Sequence, residues 1–319
     1  MNNPLNIVFL DQYTIHNTDL SPIKALGNYT GYDTTPVGQI VERCREADVV
    51  IANKTPLKGD TLHALPHLKL ICIAATGMNN VDLDTAAQLG ITVRNAVGYS
   101  THSVAEQTLC DVLALMKQTL YYDRFVKSGT YSRSDKLFDF GRTTHELHGK
   151  NWGIIGMGNI GRRVASLADA FGCVVSYCSV SGIHRPEKYP QKPLGDLLRE
   201  SDIVSIHAPL SAKTYHLIGS DELKLMKPSA LIVNVARGGI VDESALAEAL
   251  DIGTIAGAGI DVYSSEPLPA DNPLLHIEDP NKLILSPHSA WSSEEALVYL
   301  IDKVAENISR FIADRTDDQ

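Results

Sequence analysis

Three glycines in the stretch "NWGIIGMGNIGRRVAS", at Gly156, Gly158 and Gly161, stand at a spacing that suits a bound phosphate. The first permits a tight turn out of a strand, the second lets a pyrophosphate approach the backbone, and the third lets the next helix lie close to the sheet. Amides at the helix start, including those of Asn159 and Ile160, then face negative charge that the helix dipole favours. The spacing alone is a weak signal. It gains weight because Trp152 to Ile155 reads as a short buried strand, while Ile160, Val164, Leu167, Ala168 and Phe171 recur on one helix face. A glycine turn without a ligand is the plainer alternative, and this context disfavours it.

A second set of residues is spread along the chain: Arg237 in "NVARGG", Glu266 in "SSEP" and His288 in "LSPH". A planar guanidinium engages a carboxylate and an adjacent carbonyl oxygen together. An imidazole titrates near neutrality and can act as acid or base, and a glutamate on its other ring nitrogen stabilises imidazolium. Arg237 follows one expected strand and His288 another. A salt bridge for the arginine and a satisfied core position for the histidine are the bland readings, and the joint occurrence of all three residues argues against both.

Sites that prefer NAD usually place an acidic residue about 20 residues beyond the glycines, at the end of the second strand. Here "GCVVSYCSVSG" puts Ser179 near that place, and no Asp or Glu follows before Glu187. A serine does not repel a 2′-phosphate, and His184 or Arg185 can reach one. The turn therefore admits NAD or NADP.

Two alternating series of elements must position these groups. "NIVFLD", "ADVVIANK", "LKLICIAATG" and "ITVRNAV" read as buried strands with helix-like segments such as "PVGQIVERCREA" between them, which implies a parallel sheet. One long helix is expected over "THSVAEQTLCDVLALMKQTLYYDRFVKSG". Six further strands follow: "WGIIG", "VVSYCS", "IVSIHA", "ALIVNVAR", "IAGAGIDVY" and "LILSPH". The amphipathic segment "SSEEALVYLIDKVAENISRFIADR" comes after that second sheet is complete and should pack back on the first. The expected fold is α/β with two doubly wound parallel-sheet domains. A Rossmann-type cofactor domain, 100–289, is inserted in a flavodoxin-like substrate domain, 1–99, to which the helix of 290–319 returns.

With 319 residues, 44% of them hydrophobic, the chain can bury cores for two domains. A net charge of −10 argues against nucleic acid or an anionic membrane surface as partner. The five cysteines, Cys44, Cys72, Cys110, Cys173 and Cys178, are odd in number and several sit in apolar runs, so they read as reduced core thiols of a cytoplasmic protein. "HELH" falls one residue short of a zinc-binding H-E-x-x-H, and no metal is expected. The apolar run "LNIVFL" is too short for a signal-peptide core or a membrane span.

"GIIGMGNIGRRVA", "SDIVSIHAPL", "ALIVNVARGGIVDESALAEAL", "GAGIDVYSSEP" and "LSPHSAW" resemble, in order and spacing, the signatures of the D-isomer-specific 2-hydroxyacid dehydrogenases. The resemblance covers nearly the whole chain. "ATGMNNVDLDTA" and the pair His288 with Trp291 look most like the glycerate dehydrogenase, or hydroxypyruvate reductase, branch. It implies hydride transfer between a nicotinamide and a small 2-hydroxy or 2-oxo acid in a cleft between the domains, with Arg237, Glu266 and His288 catalytic. It implies that Ala208 and Pro209 contact the cofactor, that Val235, Ala236 and Arg237 pass near the nicotinamide, and that Asp261 lies close to its carboxamide. Thr76, Gly77 and Asn79 resemble the loop that cups the substrate carboxylate, and Lys54 adds positive charge there or is a solvated loop lysine. A homodimer built on the cofactor domain is implied as well. D-lactate and D-3-phosphoglycerate dehydrogenases are the alternatives within the family. A nicotinamide sensor similar to the C-terminal-binding-protein corepressors is the alternative from another class.

Overall fold

The computed structural model describes residues 4–182 and 186–317. It divides into two compact units, one of residues 1–100 with 292–319 and the other of residues 101–291.

The first unit holds a parallel five-stranded sheet, β1 (Leu5–Phe9), β2 (Gly27–Gly31), β3 (Val49–Ala52), β4 (Leu70–Ile73) and β5 (Thr92–Asn95), in the order β2-β1-β3-β4-β5. The central strands β3 and β4 are apolar throughout and fully buried, as a sheet covered on both faces requires. Strand β2, "GNYTG", is absent from the sequence-based expectation. It is a mostly exposed edge that pairs only with β1, so burial selects no apolar run there. The C-terminal helix, Glu294–Asp317, packs on β4 and β5. Arg94 on β5 donates to the Asn307 carbonyl at 2.9 Å, and the Asn307 side chain donates to the Asn95 carbonyl at 3.0 Å.

The second unit holds a parallel six-stranded sheet, β6 (Asn151–Ile155), β7 (Val174–Cys178), β8 (Ile203–Ile206), β9 (Leu231–Asn234), β10 (Gly257–Ile260) and β11 (Leu283–Leu285), in the order β11-β10-β9-β8-β6-β7. All six expected strands form. A parallel bridge between Tyr177 and Gln191 adds the vestige of one more strand outside β7. The strand order reverses at β6, which makes the carboxyl ends of β6 and β8 the natural crevice for a ligand. Apolar clusters fill both faces of the sheet, with Trp152, Ile154 and Val233 in one and Ile155, Val204 and Ile232 in the other.

The long helix expected from Thr101 is two helices, Thr101–Met116 and Thr119–Lys127. Gln118 between them has φ 53°, a left-handed conformation that an L-residue cannot continue as a helix, and its side-chain Nε2 donates to the Leu115 carbonyl at 2.8 Å. Two further expectations fail locally. Phe171 is exposed, because the helix Asn159–Ala170 ends before it and leaves it as the cap. Cys110 lies on the outward side of its helix, while the other four thiols are buried, and all five are free.

The helix Thr101–Met116 carries a buried acid against the sheet. Asp111 is 2% exposed, and a Cβ on Gly259 of β10 would stand 2.9 Å from its own Cβ. Gln107 donates to Oδ1 at 2.7 Å, while Oδ2 has no partner among the described residues. Burial, with Asp261 nearby adding repulsion, pushes this carboxyl up to about 6. A folded-state value above the unfolded one favours folding at acidic pH, and that contribution is lost as pH rises through about 6. Asp111→Asn should therefore stabilise the protein by up to about 3 kcal/mol near pH 8 and much less near pH 4.5. Calorimetric melts at the two pH values check this; an equal shift at both would assign the effect to packing.

Candidate active site

The glycine turn has the geometry its residue types require. Gly156 has φ +96°, and a Cβ there would lie 2.9 Å from the backbone of His207 and Ala208. A Cβ on Gly161 would lie 2.1 Å from the Gly156 carbonyl oxygen. Gly158, in contrast, has nothing within 4 Å of its Cβ position, and the helix that begins at Asn159 follows it directly. Two glycines thus close the backbone and the third leaves an open face at a helix N-terminus, which fits a pyrophosphate. A cavity of about 220 Å³ opens there, lined by Gly156, Gly158, Ser179, His207, Ala208 and Pro209 among others. These residues fit a dinucleotide.

Glu187, too far along the chain to look like part of the Ser179 turn, also lines this cavity. Its carboxylate accepts from Arg162 of the glycine-turn helix, with Nε 3.0 Å and Nη2 2.6 Å from Oε1. The Ser179 and Ser181 hydroxyls stand 3.3 Å apart. His184 and Arg185 lie outside the described residues. Behind the cavity, the Trp152 indole N–H donates to Ser205 Oγ at 2.9 Å, and Ser205 Oγ stands 3.0 Å from His207 Nε2. Burial pulls His207 down to about 3, so its ring is neutral at physiological pH.

Arg237, Glu266 and His288 sit on the loops that leave the carboxyl ends of β9, β10 and β11. The first loop is shaped by buried Asn234, whose side chain accepts from the Ala236 amide at 3.1 Å and donates to the Arg237 carbonyl at 2.9 Å. Val235 is buried, and the partly exposed Arg237 guanidinium donates to the Ala236 carbonyl at 2.6 Å. Gly238 then passes so close to the second loop that a Cβ would overlap the Tyr263 carbonyl. Tyr263 is the junction: its amide donates to Glu266 Oε1 at 3.1 Å, and its hydroxyl donates to the Ser286 carbonyl of the third loop at 2.9 Å.

His288 Nδ1 stands 2.7 Å from Glu266 Oε2. The histidine has φ +53°, a strained value for a residue with a Cβ. Asp261 holds it there. The Asp261 carbonyl accepts the His288 amide at 2.8 Å, and its carboxylate accepts from Ser286 Oγ and from the Ser289 and Ala290 amides at 2.9 and 3.0 Å. Asp261 is 1% exposed, and burial is the leading cause that raises its carboxyl above the usual range.

In the first unit, Lys54 follows β3, and Thr76, Gly77 and Asn79 follow β4, at one end of that sheet. The buried Asp11 carboxylate shapes the first of these loops, accepting from the amides of Asn53, Lys54 and Thr55 at 2.9, 2.7 and 2.7 Å. The two loops are tied where the Leu57 amide donates to the Asn80 carbonyl at 2.8 Å and the Asn80 side chain donates to the Thr55 carbonyl at 3.0 Å. Thr76 is exposed and bonds to the Ala96 carbonyl at 3.2 Å.

Asn234, Tyr263, Ser286 and Asp11 escaped the sequence reading, and Glu187 entered it only as the first acid after Ser179. Each acts across loops and carries no local motif; a polar residue at the end of an apolar strand, as in "LIVN" and "NIVFLD", was the available signal. A larger cavity of about 410 Å³, with Gln118, Arg142, His145 and Lys150 in its wall, lies by residues that precede β6, β8, β9 and β10. It holds none of the candidate site residues.

The family model described as the NAD-binding domain of the D-isomer specific 2-hydroxyacid dehydrogenases matches residues 109–290. A glycerate dehydrogenase of Methylorubrum extorquens is 39% identical over 96% of this chain and 96% of its own. A hydroxypyruvate reductase of Blautia hydrogenotrophica is 32% identical over 97% of each chain. Among solved structures, a D-lactate dehydrogenase from Aquifex aeolicus complexed with NAD and lactic acid superposes with a TM-score of 0.81 at 26% identity, covering 98% of this chain and 96% of that one. The match includes the glycine turn and all three loops, and the similarity continues through the first unit, so the chain belongs to the D-isomer-specific 2-hydroxyacid dehydrogenases and its second unit carries their NAD-binding domain.

Proposed function

We propose that this dehydrogenase interconverts D-glycerate and hydroxypyruvate, and reduces glyoxylate, with Arg237, Glu266 and His288 as its catalytic residues. The observation that carries the reading is the 2.7 Å contact between His288 Nδ1 and Glu266 Oε2, on loops at the same sheet end as the phosphate cradle. The names of the two relatives support the substrate, since oxidation of glycerate at C2 gives hydroxypyruvate.

Bound nicotinamide supplies or accepts the hydride. Arg237 holds the substrate carboxylate and the adjacent carbonyl oxygen in its fork. His288 gives a proton from Nε2 to the developing alkoxide during reduction and takes it back during oxidation. Glu266 fixes the ring and stabilises the imidazolium. Lys54, Thr76, Gly77 and Asn79 are the further candidates for the substrate carboxylate, on the strength of the family resemblance. Ala208, Pro209, Val235 and Ala236 wall the cofactor, and Asp261 sits near its carboxamide.

The working form is a homodimer built on the cofactor unit. Phe138 and Phe140 are 67% and 89% exposed and stand with Leu137 on one surface segment, an apolar stretch that a second copy of this chain would cover. Free thiols fit a reducing cytoplasm, and no helix among the described residues is long and apolar enough to cross a membrane.

The direct test is loss of NAD(P)H absorbance with a panel of 2-oxo acids. Hydroxypyruvate and glyoxylate should be reduced fastest, and cofactor binding without turnover of any 2-oxo acid would overturn the enzyme reading. Arg237→Lys should lose most activity with little change in NADH affinity, because an ammonium cannot reproduce the fork; near-normal turnover would make Arg237 structural. His288→Ala should cost about 10² to 10⁴ in rate in both directions. Glu266→Gln, which removes the anion that holds His288 Nδ1, should lower kcat in both directions with little change in NADH affinity. Unchanged kcat would break the pair. Sedimentation should show a dimer that Phe138→Ser with Phe140→Ser weakens.

A further inference from the structure

The loop that carries Glu266 follows β10 and is exposed from Ser264 to Pro267 before it returns to buried Asn272. An exposed loop does not by itself hold a side chain to the tolerance that proton transfer demands. One carboxylate reaches both ends of this one. Glu243 Oε1 accepts from the Ser264 amide at 2.6 Å, and Oε2 accepts from Asn272 Nδ2 at 2.5 Å. Asn272 has no choice of orientation, because its own Oδ1 accepts from the Leu274 amide at 3.0 Å and so leaves its donor facing the glutamate.

A glutamate in the first turn of a helix ordinarily serves the helix end. In the helix Glu243–Asp251 that task falls to Asp242, whose Oδ1 accepts from the Ser244 and Ala245 amides at 3.0 Å each. Glu243 is thereby left to the loop, on a helix anchored by the fully buried Leu246 and Leu250. At the near end of the loop, consecutive amides of one turn go to two glutamates: Tyr263 donates to Glu266 and Ser264 to Glu243.

We propose that Glu243 is a positioning residue for the hydride transfer, a clamp that holds the loop at Ser264 and Asn272 so that the Glu266 carboxylate stays on His288 Nδ1. The inference rests on the reading of Glu266 and His288 as the catalytic pair. Glu243 touches neither the reacting groups nor the phosphate cradle, so its removal acts on turnover and not on cofactor binding.

Steady-state kinetics with hydroxypyruvate, and fluorescence titration of NADH, test this on the intact protein. Glu243→Gln keeps the shape but turns one acceptor into a donor, so one of the two bonds is lost; kcat should fall about tenfold with NADH affinity unchanged. Asn272→Asp sets two carboxylates against each other and should act in the same direction. Glu243→Gln combined with Asn272→Asp restores both bonds with one reversed, and most of kcat should return. On a Glu266→Gln background, Glu243→Gln should cost less than about twofold more, because the group it positions is gone. Thermal melts establish that the variants are folded. Unchanged kcat in Glu243→Gln, no recovery in the exchanged pair, full multiplication of the two losses, or weakened NADH binding would each overturn the clamp. Undiminished kcat in Glu266→Gln would overturn the catalytic reading together with the inference, whereas normal turnover in Glu243→Gln beside a slow Glu266→Gln overturns the inference alone.

Discussion

A carboxylate buried at the end of β10 governs the chemistry of the second unit. Asp261 cannot keep its charge away from water unless it is given donors, and three converge on it from a single turn: the Ser286 hydroxyl and the Ser289 and Ala290 amides. Meeting that requirement folds the turn around the acid and forces His288, between the donors, into a left-handed conformation its side chain opposes. The strain is supported by the same residue that imposes it, since the Asp261 carbonyl takes the His288 amide. The histidine is aimed by a backbone that has little freedom to do otherwise, and Glu266 needs only to hold a ring already delivered to it.

The other loops are locked by close approach more than by charge. Gly238 and Tyr263 touch backbone to backbone, and Gly156 touches the His207–Ala208 segment in the same way. Both contacts require glycine, and both join loops from neighbouring strands at the carboxyl edge of one sheet. That edge carries the phosphate cradle and the Arg, Glu and His side chains together because the strands are parallel. Register therefore places every outgoing loop on one side. Tyr263 completes the arrangement by bonding forward to Glu266 and across to Ser286.

Legibility in the sequence followed burial. The inner strands of both sheets were readable because both faces are covered and apolar residues dominate them, and the edge strands β5, β7 and β11 were readable because each lies in an apolar run of its own. β2, "GNYTG", is a mostly exposed edge with no such run, and it was not. The helix break at Gln118 left no trace in the pattern, since no glycine or proline marks it and the apolar stripe runs on across it. At the site, the glycine spacing and the Arg, Glu and His positions stood out because chemistry restricts residue type there. Asp261 stood out through family resemblance, not through its role as the organiser of the turn. Glu187 was seen only as the first acid after Ser179, because nothing in a linear window shows that the chain returns it to the cavity wall.

The two buried acids beside β10 show how donors, more than burial, divide the roles of like residues. Asp111 and Asp261 are nearly equally hidden, and burial raises both. Asp261 has three donors and the nearby His288 charge to favour its ionised form, whereas Asp111 has only the Gln107 amide and feels Asp261 as a repulsive neighbour. Two carboxylates competing for one low-dielectric region do not share the cost evenly, and the better-solvated one retains the charge. As pH falls through about 6, Asp111, with its single donor, is the member of the pair that burial and the repulsion of Asp261 bring to protonation.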